Sequence, residues 1–424
     1  MGRKGRLFNN VLKYASALAY LSSLCSCSSE QEQARITITF SSTAPHVRSE
    51  APDEEKITDI SLVIFDASGN AEDCIYLERG LTSASTTLVM EKKYTFCACA
   101  NFGRQIYADH IEELQEVIFH MAYPDEYREG IPMAAVKEVL VREDCSIDIP
   151  LERLMARIDL SIDRSHLNDD VKMYVRSARI GNCPRYVMPF KESRIEDEDG
   201  AFPTGFQLND IQTSDLNKGI GKGRSKEVSL YMFENMQGKT DSHIRSDSEK
   251  VFDEYDPRIY TCSYIEMEIE YISQDKRSGE KPLIYRFYLG EDRNSFDIRR
   301  NTCYNITVTP ENDGLSEDSW RVDKSGIEDI GSPFLYSYPS DYIRGDIGDT
   351  IHIGCRFSPD HTPFDLGISY MEDDRKEGIY DFVIDEDGHG ATLTLTGPGR
   401  GLIYMEAGAP VNDAALFIIE VNQP

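Results

Sequence analysis

Along most of this chain apolar and polar residues alternate in short runs, and a period of two predicts half-buried strands. The segment Ala34-Arg-Ile-Thr-Ile-Thr-Phe40 sets the pattern, with Ile36, Ile38 and Phe40 on one face. After the charged stretch Asp53 to Lys56, the runs Ile60 to Phe65 and Cys74 to Leu77 flank a turn at Asp66-Ala-Ser-Gly-Asn70. Thr86 to Met90 and Tyr94 to Ala100 predict two strands about a charged turn. Lys137 to Val141, Ile147 to Ile149 and Ala156 to Ile162 continue the series. One segment breaks the rhythm. Ile111, Leu114, Val117 and Ile118 share a face at helical spacing, which predicts a helix over Ile111 to Phe119.

A second block of strands begins near Val171, with runs at Met173 to Ile180, Val228 to Phe233, Tyr264 to Ile272, Leu283 to Leu289 and Tyr304 to Val308. Polar insertions such as Glu192 to Gly200 and Gln237 to Lys250 separate them. Ser316 to Gly331 is a polar bridge holding the only tryptophan, Trp320. From about Ser332 a third block carries short runs at Thr350 to Phe357, Ile379 to Ile384, Ala391 to Thr396, Leu402 to Met405 and Ala415 to Val421. Turn signals separate them at the rhythm of a small immunoglobulin-like sandwich.

The first residues differ from all of this. Arg3, Lys4, Arg6 and Lys13 precede the apolar run Tyr14 to Leu24, with no acidic residue among them. That run is about half the roughly 20 residues a membrane-crossing helix needs, so a signal peptide fits it better than an anchor helix. It ends in Leu24-Cys-Ser-Cys27, a bulky aliphatic residue, two further positions and a cysteine preceded by a small residue. This resembles the lipobox of bacterial lipoproteins, which implies cleavage between Ser26 and Cys27 and acyl chains on the Cys27 thiol. Cys25 follows the bulky Leu24 and fits less well. A plain secretory signal cut near Ser26 or Ser28 is the alternative. Ser28 to Gln33 is a polar tether with no tendency to fold. Its acidic residues, just behind the cysteine, resemble the surface-export signal of Bacteroidia-type lipoproteins.

Charge narrows the partners. Without the signal segment the chain has 41 Lys and Arg against 74 Asp and Glu, a formal charge near -33. Such a surface disfavours nucleic acid and anionic membranes, whose phosphates are bound by Lys and Arg. Eight cysteines follow Cys27, at 74, 97, 99, 145, 183, 262, 303 and 355. They are too dispersed for a disulfide scaffold and read as small apolar residues. Cys97 and Cys99 lie two apart on one strand face, where they are not expected to bond each other. With no Cys-x-x-Cys pair and scattered histidines, no metal is expected, nor any cofactor.

The order of motifs is similar to that of the Bacteroidia-type fimbrillin superfamily, in its anchor and minor-subunit branch. The pieces are Asp59-Ile-Ser-Leu-Val-Ile-Phe-Asp66, Tyr94 to Gly103, Gly130-Ile-Pro-Met133 and Pro150-Leu-Glu-Arg-Leu-Met-Ala-Arg-Ile-Asp159. In the second half they are Leu230 to Gly238, Tyr285-Arg-Phe-Tyr-Leu-Gly290 and Arg300-Asn-Thr-Cys-Tyr-Asn-Ile306. The resemblance implies a mainly β protein of two tandem transthyretin-like sandwiches followed by the immunoglobulin-like block. It also implies assembly into surface fimbriae by strand exchange with pilin subunits. The expected organisation is a lipoprotein signal peptide at 1–26 and a lipidated tether at 27–33. A first sandwich follows at 34–165, a second at 166–315, a linker at 316–331 and the C-terminal domain at 332–424. In that superfamily a trypsin-like protease frees the first strand of stalk subunits. Here the first strand is Ala34 to Phe40, and the loop behind it contains Arg48 in Pro45-His-Val-Arg-Ser-Glu50. A subunit held at the outer membrane by Cys27 should keep that peptide intact, whereas a tip or stalk subunit should lose it.

Within Pro150 to Asp159, Leu151, Leu154, Met155 and Ile158 are candidates for burial where one sandwich meets the next; an ordinary strand with a basic edge is the alternative. Asn101-Phe-Gly103 and Glu234-Asn235 suit strand-ending turns. Gly219-Ile-Gly-Lys-Gly-Arg-Ser225 lacks the Gly-Lys-Ser/Thr ending of a phosphate loop. Asp385-Glu-Asp-Gly388 and Glu196-Asp-Glu-Asp-Gly200 recur to the acidic calcium-loop pattern without its Glu at position twelve, where Thr396 and Leu208 stand. No Gly-x-Ser-x-Gly elbow or His-Glu-x-x-His occurs. The sequence therefore predicts a non-enzymatic, surface-exposed fimbrial accessory, anchor or tip subunit. The competing class is a surface glycan-binding lipoprotein of a nutrient-uptake system, which 23 Tyr could serve but a single Trp does not favour.

Overall fold

The computed structural model describes residues 31–43, 54–196, 200–202, 210–240, 244, 250, 252, 256–274, 283–314, 334–338, 342–358, 366–370, 378–386, 388, 390–408 and 413–422. It is mainly β, with strands layered in sandwich fashion.

The first block comprises β1 (Gln33–Ser42), β2 (Ile60–Phe65), β3 (Ala71–Leu77), β4 (Ser83–Val89), β5 (Lys92–Ala100), α1 (Ile111–Leu114), β6 (Phe119–His120), β7 (Met133–Val141) and β8 (Cys145–Arg153). Seven strands run in the order β3-β2-β5-β7-β8-β1-β4. The β7–β8 hairpin pairs only at its base, Met133 with Arg153 and Ala134 with Glu152, so the sheet folds over into two arms. The arms share a core in which Ile36 and Ile38 of β1 meet Leu62 and Ile64 of β2, Phe96 of β5 and Ile149 of β8. The strict alternation of β1, buried at every second residue, follows directly from Ile and Phe spaced two apart.

The second block comprises β9 (Met155–Ile162), β10 (Lys172–Gly181), β11 (Cys183–Pro184), β12 (Tyr186–Val187), β13 (Ala201–Phe202), α2 (Asp210–Leu216), β14 (Val228–Phe233), β15 (Tyr264–Ile272), β16 (Leu283–Tyr288) and β17 (Cys303–Val308). Its layers are β14-β9-β17 and β10-β15-β16, closing on Ile158, Leu160, Met173, Leu230, Met267 and Tyr285. The third block comprises β18 (Phe334–Tyr338), β19 (Tyr342–Gly345), β20 (Thr350–Ser358), β21 (Leu366–Tyr370), β22 (Tyr380–Ile384), β23 (Gly390–Leu395), β24 (Gly399–Ala407) and β25 (Asp413–Val421). Two four-stranded sheets, β18-β20-β23-β22 and β19-β25-β24-β21, enclose Ile353, Leu393, Met405 and Phe417. The outer face of β24 and β25 is covered as well: Leu402, Leu416 and Ile418 join the core cluster of the first two blocks. Tyr123 of the first block donates its hydroxyl hydrogen bond to the Arg400 carbonyl at 2.9 Å, and the Arg400 guanidinium pairs with buried Asp125 at 2.5 Å.

Two expectations change. The helix ends at Leu114 instead of reaching Phe119, because Phe119 and His120 form β6, paired with β12, and the Phe119 ring packs at a tilt against Phe102, centroids 4.5 Å apart. Ile118, assigned to the helix face, is exposed. A tertiary pairing overrides a local period here. The run Ala156 to Ile162, which the sequence places at the end of a first unit closing at residue 165, hydrogen-bonds as β9 to β14 and β17 of the second block.

Candidate functional site

β1 occupies an interior position, antiparallel to β4 (Ile36 opposite Thr86) and parallel to β8 (Ile38 opposite Ile147). Its inner face, Ala34, Ile36, Ile38 and Phe40, is buried. Its outer face is Arg35, Thr37, Thr39 and Ser41, all exposed. Only light side-chain contacts are added there: the Thr39 and Ser41 hydroxyls donate to Asp148 at 3.3 Å, and the Arg35 N–H donates to the Asp144 carboxylate at 2.8 Å. The strand is therefore held by its ladder and one apolar face. At its end Thr43 donates both its N–H and its hydroxyl to the Leu151 carbonyl, at 3.1 and 2.9 Å.

Behind that end lies the joint between the first two blocks. Ile147, Ile149, Leu151 and Arg153 are successive inward positions of β8, so the alternation that buries three apolar residues also buries an arginine, 2% exposed. A buried guanidinium requires a countercharge and filled hydrogen bonds. Glu54, within the connection between β1 and β2, supplies the charge, pairing with Arg153 and, at 2.8 Å, with Arg157 of β9. The Tyr231 hydroxyl donates to the same Glu54 carboxylate at 2.5 Å. Arg157 Nε donates to Asp159 at 2.8 Å, and Asp159 also accepts from Ser229 at 2.6 Å. Arg153 Nε donates to the Asn301 side-chain carbonyl at 3.3 Å, and the Asn301 amide donates to the Thr43 hydroxyl at 3.3 Å. Burial holds Arg153 below the usual arginine range. Burial pulls Arg157 the same way, but its hydrogen bond to Asp159 and the neighbouring Tyr231, Asp159 and Cys303 groups together outweigh this and hold it above. Burial also pushes the Tyr231 hydroxyl up.

Leu151, Leu154, Met155 and Ile158 are all buried, and Leu154 alone separates β8 from β9. The segment Pro150 to Asp159 is thus the joint itself. Two further motifs are polar hubs. Asn101, at φ +64°, ends β5, accepts from the Thr58 N–H at 2.8 Å and donates to the carbonyls of Lys56 and Ile131. A Cβ on Gly130 would come within 3.0 Å of the Asn101 side chain, so the Gly130-Ile-Pro-Met133 turn needs its glycine. Glu234 ends β14, accepting from the Ser193 N–H at 2.9 Å and from Arg300 at 2.5 Å, while Asn235 donates to the Thr261 carbonyl.

Among the described residues the chemical candidates hold no assembled site; Asp197 to Asp199 and Leu208 lie outside them. In the Gly219 to Ser225 loop, Lys222 pairs with Asp169, and the Ser225 hydroxyl accepts from the Ile162 N–H and donates to the Lys226 carbonyl. A Cβ on Gly219, at φ +78°, would meet the Arg224 carbonyl at 2.8 Å, which explains the glycine as a turn requirement. Asp385 lies 2.7 Å from His352 and closes a turn by accepting from the Gly388 N–H. Among the described residues no group of three or more His, Cys, Asp and Glu could hold a metal ion. The described cysteines are free, and burial pushes the thiols of Cys97, Cys183 and Cys262 up to about 12. Ser26, Cys27, Arg48, Trp320, Asp387 and the 316–331 bridge lie outside the described residues. Glu54, Tyr231 and Asn301 were not singled out by sequence. The one signal available was Arg153, an arginine on the apolar side of an alternating run.

Residues 230–308 match the model of a domain of unknown function, DUF4906. No curated protein matches the chain. Among solved structures the chain is similar to a proposed cell adhesion protein from Bacteroides eggerthii, at 13% identity and TM-score 0.46, covering 92% of this chain and 98% of that one. It is similar to a fimbrial assembly protein from Parabacteroides distasonis, at 10% identity and TM-score 0.37, covering 66% and 92%. It is also similar to a fimbrillin from Porphyromonas gingivalis, at 11% identity and TM-score 0.36, covering 92% and 99%.

Proposed function

We propose that this chain is a non-enzymatic surface lipoprotein, an anchor, tip or other accessory subunit of fimbriae that docks to pilin subunits by β-strand complementation and supports adhesion. The observation that carries the reading is β1. It is the first strand of the described chain, held between two neighbours by main-chain hydrogen bonds and a single apolar face. Were it withdrawn, an apolar groove between β4 and β8 would remain, with the geometry that strand addition requires: main-chain bonds for affinity and alternate side chains for register. The motif order that resembles the fimbrillin superfamily supports the same reading, as does the lipobox-like Leu24-Cys-Ser-Cys27. In this proposal Cys27 carries the acyl chains, which suffice to hold the protein at the outer membrane.

Affinity purification of the full-length protein from cells grown with a palmitate analogue tests both halves. A co-purifying pilin, with label lost in Cys27→Ser, is the expected result. An oligosaccharide in place of a pilin would overturn the fimbrial reading and favour a glycan-binding lipoprotein. Label retained in Cys27→Ser would overturn the lipidation site. Mass spectrometry of the same material reads Arg48: an intact chain supports an anchor, and one beginning at Ser49 supports a tip subunit.

A further inference from the structure

We infer that the end of β1 and the joint between the first two blocks form one coupled device, so that a change at either is felt at the other. Two residues of the β1–β2 connection, Thr43 and Glu54, are tied to the same buried arginine. Thr43 reaches Arg153 through Asn301, whose side chain accepts from Arg153 and donates to Thr43. Glu54 reaches it directly. From Arg153 the network passes into the second block by three routes. Glu54 also binds Arg157 of β9 and Tyr231 of β14, and the Asn301 backbone N–H donates to the Met155 carbonyl at 3.0 Å. The Arg157 N–H in turn donates to the Thr302 carbonyl at 2.9 Å.

Charge makes these contacts interdependent. Arg153, Arg157 and Asp159 are each less than 5% exposed, and Glu54 is the carboxylate that both arginines share. Taking Glu54 away leaves buried positive charge short of its counter-ion, which favours solvent entering the joint. In a low-dielectric setting the bonds of such a network polarise one another, so that the loss of one weakens the rest. A displacement of β1 that draws Thr43 off Asn301 therefore weakens the support of Arg153, and the strain falls on the Glu54 contacts that join the blocks. The coupling does not depend on what partner, if any, replaces β1.

Hydrogen exchange on the full-length protein tests it. Glu54→Gln keeps the shape and removes the charge. Asn301→Gly keeps a residue suited to its φ of +51° and removes both the acceptor for Arg153 and the donor to Thr43. Each variant is expected to speed exchange about tenfold or more in two separate segments, Thr39 to Ser42 and Met155 to Asp159. The double variant should change less than the product of the singles, since both act on one network. Exchange altered only beside residue 54 in the first variant and only beside residue 301 in the second, with multiplicative effects in the double, would overturn the inference. Should Glu54→Gln not fold, Glu54→Asp serves: smaller changes in both segments support the coupling, and a change in one alone overturns it.

Discussion

β1 and β9 hold the same place in two different sheets. Each is the first strand of its block, antiparallel to a middle strand (β4 or β14) and parallel to the last (β8 or β17). What differs is the second face. β1 alternates buried and exposed, with Thr37, Thr39 and Ser41 in water, whereas every residue of β9 is buried. The inner faces are equally apolar, so the ladder and core favour both strands alike. Arg157 and Asp159 add to β9 a set of buried charged contacts that β1 lacks. With the same topology, the two strands differ in their outer surfaces.

The largest expected effect breaks or sustains that contrast outright. Protein nicked after Arg48 should take up a labelled peptide with the sequence of residues 33–42 and release its own strand, while a peptide of residues 155–162 should bind nothing. Uptake of the second, or of neither, would end the comparison. Next in size, Arg157→Ala leaves Glu54 and Asp159 short of a partner, and removing one member of a buried pair costs about 3–5 kcal/mol. Its counterpart on β1, Thr37→Ala, should stay within about 0.5 kcal/mol. Urea midpoints compare the two.

Acid should separate the blocks more gently. Glu266 of β15 is buried between Arg179 and Arg286; burial opposes its charge, but the two guanidiniums outweigh it and hold the carboxyl below its ordinary 4.5. A depressed carboxyl contributes stability that is fully present above the unfolded-state value and is lost as pH falls through the folded one. The second block should therefore weaken as pH drops below 4.5, with faster exchange in β10 and β15 before β1 and β8 respond. Earlier loss in the first block would show that other acids dominate. The smallest effect tests the claimed equality of inner faces. Ile38→Val and Ile158→Val should each cost about 0.5–1.5 kcal/mol, indistinguishably. A clear difference between them would mean that the cores also distinguish the strands.

Much of this was legible in the chain. The runs at Ile60 to Phe65, Val228 to Phe233 and Tyr264 to Ile272 coincide with β2, β14 and β15, because alternating or continuous apolar runs leave the backbone few other ways to bury them. Phe119 was misread because its strand partner, Val187, is remote in sequence. β19 and β21 were missed for the same reason: each is short and forms only by pairing with β25 or β24. The joint was half legible. Its apolar members follow from the spacing within Pro150 to Asp159. Glu54 carries no local mark that distinguishes it from Asp53 or Glu55, since its role is set by two arginines about a hundred positions away.

The parallel pairing of β1 with β8 also fixes how the molecule meets tension. Ile36 lies opposite Cys145 and Ser42 opposite Leu151, so the start of β1 and the end of β8 stand at opposite ends of one ladder. A pull between the amino terminus and the second block enters at the first and leaves at the second, sliding the strands lengthwise past each other. The hydrogen bonds lie across the direction of pull and are strained together, as in a lap joint under shear, instead of parting one at a time like a zip. Loaded end-on, β1 yields only when the bonds of that ladder give way together.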